Sequence, residues 1–182
     1  MSTITQYTIK KGNHYSGIHC HFHWKQTNMT RIINFDKSCL YTLSGTDKME
    51  INKLFGLSYG LAHNNSARFG WRTNASHPGK IEILAYCYVN GGLNEPSVSL
   101  GFVDVGTSYV CTIETSPSSF STAVAGPGSC YTLTLTDISN KIIGSTKVFN
   151  VGSLPKWGYW LYPYFGGVPA APQDVAITLT IT

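Results

Sequence analysis

The sequence predicts an all-β fold, a two-sheet antiparallel β-sandwich of jelly-roll-like type, formed as one domain over residues 1–182. Three observations carry this expectation. Period-two alternation of apolar and polar residues recurs from one end of the chain to the other. Turn signals such as Pro78-Gly79, Asn90-Gly91-Gly92, Gly126-Pro127-Gly128 and Ser139-Asn140 interrupt it at short intervals. Helix is supported only at Asp47–Gly56, a short helical turn near 47–55 with Asp47 as its cap. Short strands with frequent turns favour a sandwich over a βαβ sheet.

In chain order, strands are expected at Ile4–Lys10, Ile18–Trp24, Thr30–Phe35 and Ser38–Leu43. They continue at Ser66–Arg72, Lys80–Val89, Ser97–Val103 and Ser108–Thr115. The last are Cys130–Asp137, Lys141–Phe149, Gly158–Tyr164 and Val175–Thr182. Lys80–Val89 shows the logic. Ile81, Ile83, Ala85, Cys87 and Val89 form an apolar face that points between the sheets. Glu82, Leu84, Tyr86 and Tyr88 form the opposite face, which fits beneath a loop or at a subunit contact. No repeat, linker or composition shift divides the chain.

A chain of 182 residues suits a single domain with one sizeable core. Charged residues make up only 12%, and Gly, Ser, Thr, Asn and Tyr take their place. That balance suits a β-protein whose surface meets another protein or a glycan. The net charge of +4 is mild and Lys10-Lys11 is the sole basic cluster, so nucleic acid is not an expected partner. The N-terminal segment lacks an apolar stretch with a cleavage site, and no apolar run reaches membrane-helix length. The expectation is therefore no membrane association and residence in the cytoplasm where the chain is made. The five cysteines, Cys20, Cys39, Cys87, Cys111 and Cys130, are widely spaced and form no Cys-x-x-Cys pair. They read as buried free thiols, with a disulfide as the alternative in an extracellular setting.

Ile18 to Trp24 holds the one metal-like cluster in the sequence. In a strand, His19, His21 and His23 share a face, at a spacing that lets two imidazoles converge on a zinc ion. His21-Phe22-His23-Trp24 is similar to the His-x-His-Trp of α-type carbonic anhydrases, but the third histidine of that family does not follow. The glutamate that cupins place after His-x-His is missing too, because Lys25-Gln26-Thr27-Asn28 stands there. The reading is a polar face or subunit contact, with no cofactor and no catalytic metal expected; His19, His21 and His23 remain the metal candidates.

Other catalytic signatures are missing as well. No P-loop or dinucleotide fingerprint occurs. The nine acids form no paired-carboxylate constellation. Arg68 and Arg72 share a strand face around Gly70 and read as stapling arginines rather than a ligand clamp. The aromatic run Trp157 to Phe165 is the better binding lead. In a strand, Trp160, Tyr162 and Tyr164 line one face, and with Trp157 they are expected to stack on sugars or fill a protein interface.

Several segments together carry a resemblance. They are Ile9 to Tyr15, Asn52 to Gly56 with Asn65 to Arg72, Lys80 to Gly91, and Tyr162 to Gly167 with Ala171 to Asp174. In this order they resemble small β-sandwich proteins of tailed phages infecting Bacteroidetes, crAss-like phages and related prophages included. The resemblance implies a non-enzymatic structural virion protein, either a capsid-decorating protein or a fibre or tail module. Its implied partners are other virion proteins, in a homo-oligomer or capsid lattice, and its implied location is the virion. The alternative is a carbohydrate-binding module that recognises host-surface glycan through its aromatic side chains.

Overall fold

The computed structural model describes residues 2–42, 49–122, 126–150 and 152–181, with backbone alone for 117–122 and 126–127. Alternating side chains build two antiparallel sheets packed face to face, the β-sandwich that the sequence predicts. The first sheet has the order β1 (Thr3–Ile9), β14 (Val175–Ile181), β3 (Asn28–Phe35), β10 (Ser108–Thr122), β11 (Gly126–Asp137) and β12 (Ile142–Asn150). The second has the order β2 (Phe22–Trp24), β13 (Trp157–Leu161), β4 (Asn52–Ser58), β5 (Ser66–Thr73), β6 (Lys80–Ala85) and β9 (Val98–Asp104). A small hairpin, β7 (Tyr88–Val89) and β8 (Gly92–Leu93), joins that sheet through Ser66 opposite Tyr88.

The core lies between the sheets. Ile9, Ile33, Phe35, Cys111, Ile113, Leu133 and Ile177 come from one side, and Leu57, Ala67, Phe69, Trp71, Ile81, Ile83 and Val103 from the other. Each such aliphatic or aromatic side chain contributes about 1.5–3 kcal/mol by leaving water. Trp71 is the hub, with Phe35, Tyr41 and Phe165 rings at centroid distances of 5.3, 5.8 and 6.0 Å.

Several expected elements differ. Ser38–Leu43 is not a strand: Lys37–Cys39 is a 3-10 turn whose cap, Asp36, accepts a hydrogen bond from the Ser38 amide. Leu43 and the expected helix cap Asp47 fall outside the described residues. Asn52–Gly56 is strand rather than helix. Every residue of β4 is buried, so both faces are covered and the period-two signal is erased. Lys80–Val89 breaks in two at Tyr86-Cys87, although the Tyr86 amide still donates to the Arg68 carbonyl. Ile18–Trp24 is strand only from Phe22. Gly158–Tyr164 stops at Leu161, before Pro163, which has no amide to donate. Gly126-Pro127-Gly128 is not a turn: it opens β11, opposite Thr122, Ser121 and Ser118.

Candidate functional site

The side chains that the core does not use gather on the outer face of the second sheet. Along β5, Ala67, Phe69 and Trp71 face the core, so Ser66, Arg68, Gly70 and Arg72 face outward. The β4 register sets Lys53 opposite Gly70, Gly56 opposite Arg68 and Ser58 opposite Ser66. On the other flank Glu82 lies opposite Arg72, Leu84 opposite Gly70 and Tyr88 opposite Ser66. Strand β13 adds Leu161, opposite Gly56, and with it Tyr159 two residues back. Tyr164 arrives beyond Pro163 and bridges the Lys53 backbone.

Arg68 is the centre of this face. Tyr86, Tyr88, Tyr159 and Tyr164 surround it. Its Nε is buried with no hydrogen-bond partner. Among the described residues no acidic side chain lies within ion-pair distance of it. Burial pulls its pKa down to about 10, and the four tyrosines act weakly in the other direction. Arg68 also lines a cavity of about 210 Å³ together with Tyr15, Tyr159, Leu161, Tyr162 and Tyr164.

Lys53 stands beside it. Its Nζ lies 5.0 Å from the Tyr86 ring centre and 5.9 Å from that of Tyr164. It donates to the Gly166 carbonyl at 2.8 Å and lies 3.7 Å from the Glu50 carboxylate. Burial lowers its pKa, Glu50 opposes the shift, and the nearby Arg68 charge adds to it. Tyr86 is raised, first by burial and then by its hydrogen bond with Tyr88. The sheet makes room for these rings with glycine. A Cβ on Gly70 falls 2.5 Å from Ile51 Cγ2 and 3.3 Å from Tyr86 Cβ, so no larger residue fits beneath Tyr86.

The second arginine of the run behaves differently. Arg72 Nε donates to Glu82 Oε2 at 2.8 Å, and Nη1 donates to the Met49 carbonyl at 3.0 Å. Burial tends to raise Glu82, but hydrogen bonds from Arg72, Asn74 and Ser99 outweigh it and hold the carboxyl below its ordinary range. Arg72 is thus the staple that the sequence predicts, whereas Arg68 has no acidic partner among the described residues.

His23 lies on the opposite side of β2, His19 and His21 lie in the segment before it, and His19 also borders the Arg68 cavity; each meets an aromatic ring. His19 packs edge-on to Tyr7 at 5.1 Å, His21 stacks on Trp160 at 3.7 Å, and His23 meets Tyr59 at 5.8 Å. His23 Nε2 contacts the Ser58 carbonyl at 2.9 Å; burial, the larger influence, lowers its pKa. No group of three metal-ligating side chains comes together among the described residues.

The expected aromatic face is divided. Trp160 and Tyr162 pack against the core, Trp160 beneath the Arg31 guanidinium at 4.6 Å, and both also border the Arg68 cavity. Tyr164 lies in the Arg68 cavity, stacked on His14 at 5.3 Å. Trp157 is on the outer face and 44% exposed. Sequence reasoning passed over Lys53, Tyr86, Tyr88 and Tyr159 as site residues. The amphipathic Tyr86/Tyr88 face was a usable signal; Lys53 was hidden in a segment without alternation.

No known protein family matches this chain, and no curated protein does. Among solved structures it is similar to a marine PL-14 alginate lyase from Aplysia kurodai, with a TM-score of 0.57 and 14% identity over 97% of this chain and 79% of that one. It also aligns with Scytalido-glutamic peptidase at a TM-score of 0.35, 10% identity, 99% of this chain and 64% of that one. A CBM2 module of the evolved Dit of Lactobacillus casei BL23 phage J-1 aligns at 0.38, 12% identity, 97% of this chain and 67% of that one. The first likeness extends the β-sandwich over nearly the whole chain.

Proposed function

We propose that the outer face of the second sheet binds an acidic polysaccharide built of uronic acids and cleaves it by β-elimination. One observation carries the reading: Arg68 is a partly buried guanidinium whose Nε is fully buried and unpartnered, set among tyrosines and beside a lysine. A carboxylate is the ligand that offsets such a partly buried cation, and the planar guanidinium fork matches it. The fold shared with an alginate lyase supports the same substrate class.

The chemistry follows from the groups present. With its carboxylate held by Arg68 and Lys53, a uronate residue loses charge repulsion at the adjacent carbon, and that C–H becomes more acidic. The hydrogen bond between Tyr86 and Tyr88 favours the protonated form of Tyr86. Tyr88 Oη takes the C–H proton as its own proton passes to Tyr86 across their hydrogen bond, the carbon–carbon double bond forms, and the bond to the glycosidic oxygen breaks. Tyr86 gives its original proton to that oxygen, so both tyrosines end protonated as they began. No water is consumed and no redox partner is needed.

This departs from the expectation of a non-enzymatic protein, which rested on the lack of a contiguous motif. Lys53, Arg68, Tyr86 and Tyr88 come from β4, β5, the segment after β6, and β7. The resemblance to phage β-sandwich proteins supplies a setting: a virion tail or fibre module whose outer face meets host-surface glycan. That setting favours a tail or fibre position over capsid decoration, because the face has to reach a polymer.

The test is ultraviolet absorbance of unsaturated uronate ends during incubation with alginate, polyglucuronate and polygalacturonate. The expected result is a rise with at least one polymer, abolished in Arg68→Ala and Tyr88→Phe. Neither cleavage nor binding of any of the three overturns the reading. Saturable binding without unsaturated product reduces it to the glycan-binding alternative.

A further inference from the structure

Three large aromatic side chains remain exposed at one edge of the second sheet: Phe22 at 70%, Trp24 at 67% and Trp157 at 44%. Soluble domains seldom leave such rings clustered in water without a use. The register explains how they meet. Trp24 lies opposite Trp157 and Phe22 opposite Tyr159, so all four side chains share one face of the β2–β13 pair. His23 and Gly158 point the other way, His23 to the Ser58 carbonyl. Tyr159 belongs to the ring around Arg68 and lines its cavity, so the aromatic edge continues the Arg68 face without a break.

Charge points in the same direction. Lys25 follows Trp24 and Lys156 precedes Trp157, both are exposed, and the Lys25 amide donates to the Lys156 carbonyl at 2.6 Å. No acidic residue occurs from Met1 to Phe35 or from Val151 to Gln173. The two segments that carry the rings are therefore acid-free and weakly cationic in sequence, the exposed Glu114 coming in opposite Asn28 from the first sheet. Three strand spacings, about 14 Å, separate β2 from β5, a span of a few sugar rings.

We propose that Trp24, Trp157 and Phe22, flanked by Lys25 and Lys156, form a distal sugar-stacking subsite for the same acidic polysaccharide, which crosses the strands from Arg68 to the β2 edge. The subsite rests on the reading of the Arg68 face as a uronate site. Flat rings take the apolar face of a sugar, and the lysines take carboxylates further along the chain.

The experiment measures affinity for oligouronates of two to six sugars by calorimetry, in a Tyr88→Phe background so that binding is read without cleavage. Affinity is expected to rise with length. Adding Trp24→Ala and Trp157→Ala lowers affinity for the longest oligomer about tenfold, flattening that rise, while Trp24→Phe keeps most of it. Lys25→Glu with Lys156→Glu serves as a second variant should the alanine pair fold poorly, and weakens the long oligomers in the same sense. A length dependence unchanged by either pair, with all binding lost in Arg68→Ala, overturns the subsite and leaves the Arg68 reading standing. A parent that binds no oligouronate overturns both. A parent that self-associates through these rings, and becomes monomeric in the alanine pair with unchanged sugar affinity, assigns the edge to a second copy and overturns the subsite.

Discussion

Arg68 and Arg72 stand two residues apart on one strand face, yet their energetics oppose each other. Arg72 and Glu82 are a well-buried pair with good geometry, and removing one partner leaves a buried charge uncompensated. Arg68 has already lost much of its hydration with no acidic partner among the described residues, a state that costs stability and that the proposed uronate ligand would relieve. Thermal melts of two variants separate these roles. Arg72→Ala is expected to lose about 3 kcal/mol. Arg68→Met is expected to raise Tm by a few degrees while abolishing uronate binding; a lower Tm for Arg68→Met contradicts the account of a desolvated cation. Lys53 gives a pH test at the same scale. Burial holds its pKa below the ordinary lysine value, so its charge is present at neutral pH and lost earlier than usual as pH rises. Cleavage is expected to fall on the alkaline side as Lys53 deprotonates. Lys53→Arg keeps its charge, and the fall is expected to move to higher pH. A pH–rate profile whose alkaline limb does not move removes Lys53 from carboxylate binding.

At the scale of elements, legibility followed exposure. Strands with one wet face, such as β3 and β11, alternate clearly and were readable to within a few residues at most ends. Strand β4 was not, because the core covers one of its faces and the Lys53–Tyr164 side covers the other. The same double coverage hid a site residue, since Lys53 in a run without alternation reads as a surface lysine on a helical turn. The aromatic run after Trp157 was legible as a binding lead but not as two faces, because the strand ends at Leu161 and Tyr164 re-enters by a separate bridge. The close approach of β4 and β5 is itself testable. A Cβ on Gly56 falls 2.2 Å from the Ala67 carbonyl oxygen and 2.7 Å from Arg68 Cα, both backbone atoms with little freedom to move. Gly56→Ala is therefore expected to cost about 1–3 kcal/mol through overpacking, and to weaken uronate binding beyond that because Arg68 moves with its strand. Chemical denaturation gives the first quantity, and calorimetry on the folded fraction gives the second.

At the scale of the whole molecule, the sandwich is closed by long-range pairing. The first strand lies against the last, Thr3 opposite Ile181, so the first sheet does not hold its full register until the two ends of the chain have met. The cysteines report on that cooperativity. Four of the five, Cys39, Cys87, Cys111 and Cys130, are buried as the sequence predicts, while Cys20 lies exposed before β2. Burial pushes the Cys39 and Cys87 thiols up to about 12 and raises Cys111 as well, so the thiolate that reacts with a disulfide reagent is scarce even where the reagent can reach. Cys39 and Cys111 border the first sheet and Cys87 the second, so their exposure samples both layers. Under native conditions a thiol-exchange reagent is expected to titrate Cys20 promptly. The other four are expected to react in a single slow phase whose rate follows the global unfolding equilibrium across a denaturant series. Mass spectrometry of the labelled peptides identifies which thiol reacted. A fast phase at Cys87 alone shows that the β6–β7 break opens ahead of the rest, which places the most easily unfolded part of the molecule directly beside Tyr86 and Tyr88.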